Sequence, residues 1–357
     1  MTQHPETISV VGAGIMGIMC AYTLQQKFPD CAVTLYDPDG FPANNASFMA
    51  GGMISPFSEL DHMPEHFLPA GLSAIDIWES ISNETGNNFE FARNGSLLIS
   101  HEKDRHILER FKSILPACDD WEIANANRIK TLEPTLPNNT FRYGVNINGE
   151  AHLHPQKTMI TLLNNIQNKA PKAFDLKQKS HKTNIVIDCR GIGAKTNNQE
   201  LRGVKGETLI VRNTEFHLSR PLRLMHPRYP LYIVPREDNI FMIGATIIES
   251  ENNESVSIRS GMELMSALYS IHPSFGDADI LEMNAGIRPA YPDNLPRVTV
   301  DGNIIRCNGL YRHGFLFAPI MAECAASIIA GEDYEFNALF VRNTDNENYT
   351  ERTAVNA

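Results

Sequence analysis

The sequence has no C-x-x-C pair, no apolar run of membrane-crossing length, no basic excess and no secretory core at its N-terminus. Each absence removes a class of protein. The six cysteines, Cys20, Cys31, Cys118, Cys189, Cys307 and Cys324, are scattered; this fits reduced, mostly buried thiols and argues against a disulfide framework or a zinc centre. Without about eighteen consecutive apolar residues no transmembrane helix is expected. Met1 to Glu6 lead into the first apolar stretch with no positive region, so the expected location is the cytoplasm. A net charge of -11 disfavours a nucleic-acid partner, whose phosphates need a basic surface. What is present suffices for a soluble protein of about two domains with real cores: 357 residues, 42% of them hydrophobic.

The strongest local pattern is Ile8-Ser9-Val10-Val11-Gly12-Ala13-Gly14-Ile15-Met16-Gly17, an apolar run that turns through three glycines into a helical pattern ending near Phe28. Gly12 permits the tight turn, Gly14 lets backbone approach a pyrophosphate, and Gly17 lets the helix pack on the strand. A second apolar run, Ala32 to Tyr36, ends on Asp37, placed to hydrogen-bond an adenosine ribose. Strand, glycines, helix, strand and terminal acid within one short unit point to a dinucleotide, where a lone glycine triplet would not. Next comes Ala46 to Pro56 with adjacent Gly51 and Gly52, which reads either as backbone lying flat against something planar or as a hinged loop.

Further along, periodicity predicts a helix over 72–81, a strand over 95–100, and a helix from His101 to about Leu115 capped by Ser100. A short helix over 128–132 and a strand over 141–147 follow. His152 and His154 stand with no third ligand at metal spacing, so no metal is expected, and Pro155 opens a helix to about Lys169. The segment 184–193 reads as a buried parallel strand returning to the first unit. Segments 231–236 and 241–246 form a hairpin across Glu237-Asp238-Asn239. In a helix over 257–271, Ile258, Met262, Met265 and Tyr269 fall on one face, as a core-facing stripe would. A strand over 304–309 runs through Leu310-Tyr311-Arg312-His313-Gly314 into a helix ending near Gly331, a second strand-glycine-helix unit. The polar segment past Asn337 is expected to fray.

Taken together, these motifs resemble the D-amino-acid-oxidase family of flavoproteins, and within it the glycine oxidases that serve thiamine biosynthesis. The likeness runs from about Ile8 to Ala330. It rests on the glycine turn with Asp37, Ala50-Gly51-Gly52-Met53, Glu150-Ala151-His152-Leu153-His154-Pro155, Tyr232-Ile233-Val234-Pro235-Arg236, Gly286-Ile287-Arg288-Pro289 and Gly309-Leu310-Tyr311-Arg312-His313-Gly314. The resemblance implies FAD against Gly12, Ala13, Gly14, Ile15, Met16 and Gly17, against Asp37, Ala46, Ser47, Gly51, Gly52 and Met53, and against Tyr311, Arg312, His313, Gly314, Phe315 and Leu316. It also implies that Tyr232, Arg288 and Arg312 hold and orient the substrate amino acid through its carboxylate. The chemistry is apt, because a guanidinium grips a carboxylate with two parallel bonds and a tyrosine hydroxyl adds a third. By position alone, Arg288 equally fits a buried salt bridge, Arg312 an acid or phosphate contact at a helix start, and Tyr232 a half-buried strand aromatic.

The expected architecture is α/β, α+β overall: a discontinuous Rossmann-like FAD-binding domain (1–82, 148–204 and 284–337), a mainly antiparallel-sheet substrate domain (83–147 and 205–283), and a frayed tail over 338–357. Members that tether flavin covalently use a cysteine in the C-terminal part of the FAD domain. Neither 286–296 nor 310–316 contains one, so non-covalent FAD is implied. The family's strand pair between Lys169 and Asn184 is short and polar here, which leaves its cofactor contacts unassigned. The implied reaction is oxidative deamination of glycine or another small amine to the imino acid or glyoxylate, with ammonia and hydrogen peroxide formed and O2 consumed. A homo-oligomer and a thiazole-synthesis partner are both compatible with that reading. D-amino-acid and sarcosine oxidases share every motif; a nicotinamide dehydrogenase shares only the first unit. A flavin-carrying binding or assembly protein could dispense with Tyr232 and Arg288.

Overall fold

The computed structural model describes residues 5–137, 140–176, 184–228, 230–252 and 254–343. Its first sheet has seven strands in the order Val341–Asn343, Arg297–Asp301, Ile304–Asn308, Asn184–Asp188, Thr7–Val11, Ala32–Tyr36 and Asn168–Ala170. The five strands from Ile304–Asn308 to Asn168–Ala170 are mutually parallel. Their C-terminal ends therefore meet at one edge, which is where an open α/β sheet takes its ligand. Gly12, Asp37, Cys189 and Gly309 each follow the last residue of one of these strands.

Helices Ile15–Lys27 and Gly314–Ala330 pack on this sheet. Both are buried nearly all round, as expected of helices whose sequences carry little polar face. Helix Leu68–Glu84 lies against the second of them, and Trp78 Nε1 donates to the Phe315 carbonyl at 2.8 Å.

The second sheet has nine strands and is mostly antiparallel. Arg202–Arg212 lies between Ile240–Gly244 and the long strand Asp279–Ala290, and the sheet continues through Leu231–Pro235, Leu222–Leu224, Ser96–Ile99, Tyr143–Ile147 and Trp121–Asn125. Strand alternation sorts its faces. Leu209, Ile233 and Ile243 enter a core with Leu264, Leu268 and Phe275, while Thr208, Tyr232, Val234 and Met242 face the other way and roof a cavity. The boundaries expected at 204/205 and 283/284 fall inside the paired strands Arg202–Arg212 and Asp279–Ala290.

Four local expectations need correction. Ser100 does not cap a helix: a 3-10 turn, Glu102–Asp104, precedes Arg105–Lys112, His101 holds the capping position, and Ser100 Oγ is buried without a partner among the described residues. The helix opened by Pro155 stops at Asn165, because Asn168–Ala170 is taken up by pairing with Thr34, Leu35 and Tyr36. The tail does not fray from 338, since Asn337–Phe340 is helical, Val341–Asn343 joins the first sheet, and Phe340 packs 5.5 Å from Phe67 and 5.4 Å from Phe317; residues 344–357 lie outside the described residues. The stripe on helix Ile258–Tyr269 faces outward, with Ile258 84%, Met262 63% and Tyr269 57% exposed, while Leu264, Ala267 and Leu268 make the buried face. That helix has two apolar faces, and periodicity alone does not say which one the sheet covers. Among the described residues no helix is long and apolar enough to cross a membrane.

Candidate active site

The C-terminal edge of the parallel sheet and the face of the nine-stranded sheet carrying Thr208, Tyr232, Val234 and Met242 enclose a cavity of about 980 Å3, at the upper end of the range for small-molecule sites. One end is built from backbone. Gly12 has φ +105°, where a side chain is strained, and a Cβ there would lie 2.6 Å from the Cys189 carbonyl oxygen. Gly14 is different, because a Cβ there would meet only Ser47 Oγ at 3.4 Å and would otherwise project into open space. Gly17 does not line the cavity; its missing side chain lets the helix press on the Gly12 carbonyl. The turn is braced from outside. The Asp37 carboxylate accepts from Ala13 N at 2.6 Å and from Asp39 N at 2.9 Å, Ser47 Oγ accepts from Ile15 N at 3.1 Å, and Asn45 Nδ2 donates to the Ala13 carbonyl at 3.0 Å.

Ala46, Ser47, Gly51, Gly52 and Met53 continue along the same wall, facing the turn from Tyr311 to Leu316. Gly52 has φ +71° and sits against the Leu153 carbonyl and Pro155. Tyr311 takes φ +49°, with its N–H bonded to the Pro289 carbonyl at 2.9 Å. The helix that follows begins without a side-chain cap, so its first N–H groups are turned toward the cavity end without a side-chain acceptor, and the buried His313 Nδ1 has no hydrogen-bond partner among the described residues.

These features fit FAD: a helix N-terminus beside the open side of Gly14 suits a pyrophosphate, Asp37 retains lone pairs for ribose hydroxyls, and a flat small-residue wall opposite unmet donors suits the ring system. In the segment that could not be assigned from sequence, Ala173 and Phe174 reach the cavity, with Phe174 4.8 Å from the Tyr36 ring; residues 177–183 lie outside the described residues. Cys189 and Cys307 are in the wall below the glycine turn, and their Sγ atoms and that of Cys20 lie within 4.8 Å of one another.

The other end is built from charged side chains. Arg288, in strand Asp279–Ala290, stands diagonally across the strand pair from Gly206, whose absent side chain makes room for the guanidinium: a Cβ there would be 2.6 Å from Nη1. The Arg288 Nη1 group donates to the Thr246 carbonyl at 3.0 Å, and among the described residues no carboxylate is within ion-pair distance of it. Burial, followed by repulsion from Arg312, pulls its pKa down to about 10.

Arg312 and Tyr232 instead meet around a carboxylate that the sequence did not single out, Glu59. Its Oε1 accepts from the Tyr232 hydroxyl at 2.7 Å and from Arg312 Nη2 at 3.1 Å; its Oε2 lies 2.9 Å from Arg312 Nε and 3.1 Å from His313 Nε2. Burial alone would raise the Glu59 carboxyl, but the Arg312 guanidinium and the His313 contact outweigh it and hold it well below the usual carboxylate range. Burial pushes the Tyr232 phenol up, so it stays protonated. Of the two positional alternatives for Arg312, the acid contact is the one made here.

Behind Tyr232, Arg223 bonds Asp61 at 2.6 Å with its guanidinium 5.2 Å from the Tyr232 ring. The available signal for Glu59 was the pair of acids, Glu59 and Asp61, in the segment after Gly51-Gly52-Met53. His152 is buried, with burial driving its pKa down to about 3, and His154 caps its helix by accepting from Lys157 N.

Residues 7–328 match the family model described as DAO, FAD dependent oxidoreductase. The chain is 40% identical over 317 residues to a Rhizobium etli protein named for the thiamine biosynthesis oxidoreductase ThiO, covering 88% of this chain and 94% of the relative. It is 25% identical over 364 residues to the glycine oxidase of Bacillus licheniformis, covering 93% and 94%. In fold it is similar to the crystal structure of glycine oxidase from Geobacillus kaustophilus, with a TM-score of 0.83 at 20% identity over 95% of this chain and 98% of that one. With the match spanning most of its length, the chain belongs to the DAO family of FAD-dependent oxidoreductases.

Proposed function

We propose that this protein oxidises glycine, and other small neutral amino acids more slowly, with FAD held non-covalently and O2 as the electron acceptor. The products are the imino acid, hydrolysing to glyoxylate and ammonia, and hydrogen peroxide, in service of thiazole formation for thiamine. The carrying observation is Arg288, a half-buried guanidinium in the cavity wall with no acidic partner among the described residues, at the end of the cavity opposite the glycine turn.

A partly buried cation with no protein counter-charge is placed to take one from a ligand, and a planar carboxylate is the matching shape. FAD, when bound, supplies the redox chemistry by accepting the electrons of the amine and passing them to O2. The chain's own residues bind, orient and exclude water. Arg288 fixes the carboxylate, and Gly206 leaves the space in which its guanidinium lies. The sheet face carrying Tyr232, Val234 and Met242 closes the roof over the reacting carbon. Glu59 is not a base for this reaction, since it is ionised and both its oxygens are already engaged by Tyr232, Arg312 and His313.

In this reading 1–82, 148–204 and 284–337 hold the cofactor and also supply Arg288 and Arg312 at the substrate end, while 83–147 and 205–283 cover the substrate, with Arg202–Arg212 and Asp279–Ala290 crossing between the two parts. Six unpaired cysteines are consistent with a cytoplasmic setting. The names of the Rhizobium and Bacillus relatives favour glycine over the larger D-amino acids as substrate. A peroxide assay of the holoprotein over glycine, sarcosine, D-alanine and D-proline tests this: glycine should give the highest kcat/KM. No peroxide from any of the four, with flavin bound, would reject the proposal.

A further inference from the structure

We infer that Glu59 sets the charge specificity of the site: by occupying Arg312 it restricts the substrate to a single carboxylate. The inference rests on the reading of Arg288 as the carboxylate holder. Three guanidiniums cluster at this end of the cavity and just behind it, Arg288, Arg312 and Arg223, and two carboxylates answer them. Glu59 takes Arg312 through both of its oxygens, at 2.9 Å to Nε and 3.1 Å to Nη2. Asp61 takes Arg223 at 2.6 Å. One cation, Arg288, is left without an acid among the described residues.

An amino acid ready to lose hydride has a neutral amine and an ionised carboxylate, so it carries one negative charge and matches that single surplus. A second carboxylate on the substrate would need a second free cation. The nearest one is Arg312, and Glu59 has already neutralised it while presenting its own negative charge to the newcomer. Unpaired like charges in a water-poor site are strongly disfavoured.

Glu59 is therefore a positioning residue that acts through Arg312. Its hold is complete: Oε1 also accepts from the Tyr232 hydroxyl at 2.7 Å, and Oε2 lies 3.1 Å from His313 Nε2, so four polar groups fix one carboxylate. The glutamate comes from the loop that follows Gly51-Gly52-Met53, while Arg312 lies in the turn just before the last long helix, Gly314–Ala330. The pairing spans 253 positions of chain, and it has no reason to form for the sake of either loop alone.

Glu59→Gln keeps the shape and removes the charge. On flavin-normalised holoenzyme, this variant should raise the absolute kcat/KM for at least one of two diacids, D-aspartate and iminodiacetate, by about tenfold or more, while kcat/KM for glycine falls or holds. The gain should vanish in Glu59→Gln/Arg312→Met, which a merely structural role for Glu59 does not predict. No rise for either diacid, or a rise that survives loss of Arg312, overturns the inference.

A second measurement needs no variant. In wild-type holoenzyme, acetate should perturb the flavin spectrum with a lower Kd than malonate, and malonate binding as tightly as acetate overturns the inference even if Glu59→Gln does not fold. Failure of the underlying reading looks different, because the flavin-loaded wild type then oxidises neither glycine nor any other small amino acid, and the inference falls with it.

Discussion

The two ends of one cavity are made in different ways. The glycine-turn end is made of backbone drawn from a continuous stretch, 8–37, with Asn45 and Ser47 bracing it from just beyond. The Arg288 end is made of side chains from four segments, near 59, 232, 288 and 312, that only the folded sheets bring together. Shape governs at the first end and charge balance at the second. Substitutions that add volume should therefore act at one end, and substitutions that change or displace charge at the other.

The largest effect separates Gly14 from Gly12. Gly14→Val projects into open cavity, so the protein should fold with unchanged circular dichroism and bind no FAD. Gly12→Ala, at φ +105° and 2.6 Å from the Cys189 carbonyl oxygen, should lower stability as well. Full flavin occupancy in Gly14→Val would mean that the turn does not hold the pyrophosphate.

Legibility followed the same division. Gly12, Gly14, Gly17 and Asp37 were readable because their spacing encodes a local turn that requires no knowledge of the rest of the chain. Arg288 was found through its motif, yet the gap at Gly206 that seats it is a register fact, visible only once the strands pair. Glu59 was not found. An acid in a loop is ordinarily solvated, and its burial here depends on Arg312 far along the chain. The same reasoning explains the helix Ile258–Tyr269: its apolar period was correct, but the sheet selected the face carrying Leu264 and Leu268, leaving Met262 and Tyr269 outside. The end of the Pro155–Asn165 helix was likewise set by a distant strand, Ala32–Tyr36.

A mid-sized effect probes the one point where shape enters the charged end. Gly206→Ala should leave FAD binding intact and displace the Arg288 guanidinium. A misplacement on the order of 1 Å predicts roughly a tenfold to hundredfold loss in kcat/KM for glycine. Unchanged kinetics would show that the guanidinium has room to move without consequence.

The smallest effect is on stability alone. The folded His152 pKa is depressed to about 3 by burial, against about 6.5 when unfolded. The stability associated with keeping it neutral is thus fully present above pH 6.5 and is lost as pH falls from there toward the folded value, by about 2 kcal/mol at pH 5. Urea unfolding at pH 8 and pH 5 should show that difference shrinking by about this amount in His152→Gln. An identical acid response in both proteins would contradict the assignment.

The central claim is that Arg288 receives the substrate carboxylate, and it is tested most directly by steady-state kinetics of Arg288→Ala with glycine, alongside its flavin content. Losing the partner of a desolvated carboxylate costs about 2–5 kcal/mol, or roughly thirty-fold to several-thousand-fold in kcat/KM. FAD should remain bound, and Arg288→Lys should recover little because an ammonium does not reproduce the two-pronged grip. Near-normal glycine kinetics in a flavin-loaded Arg288→Ala protein would contradict the account.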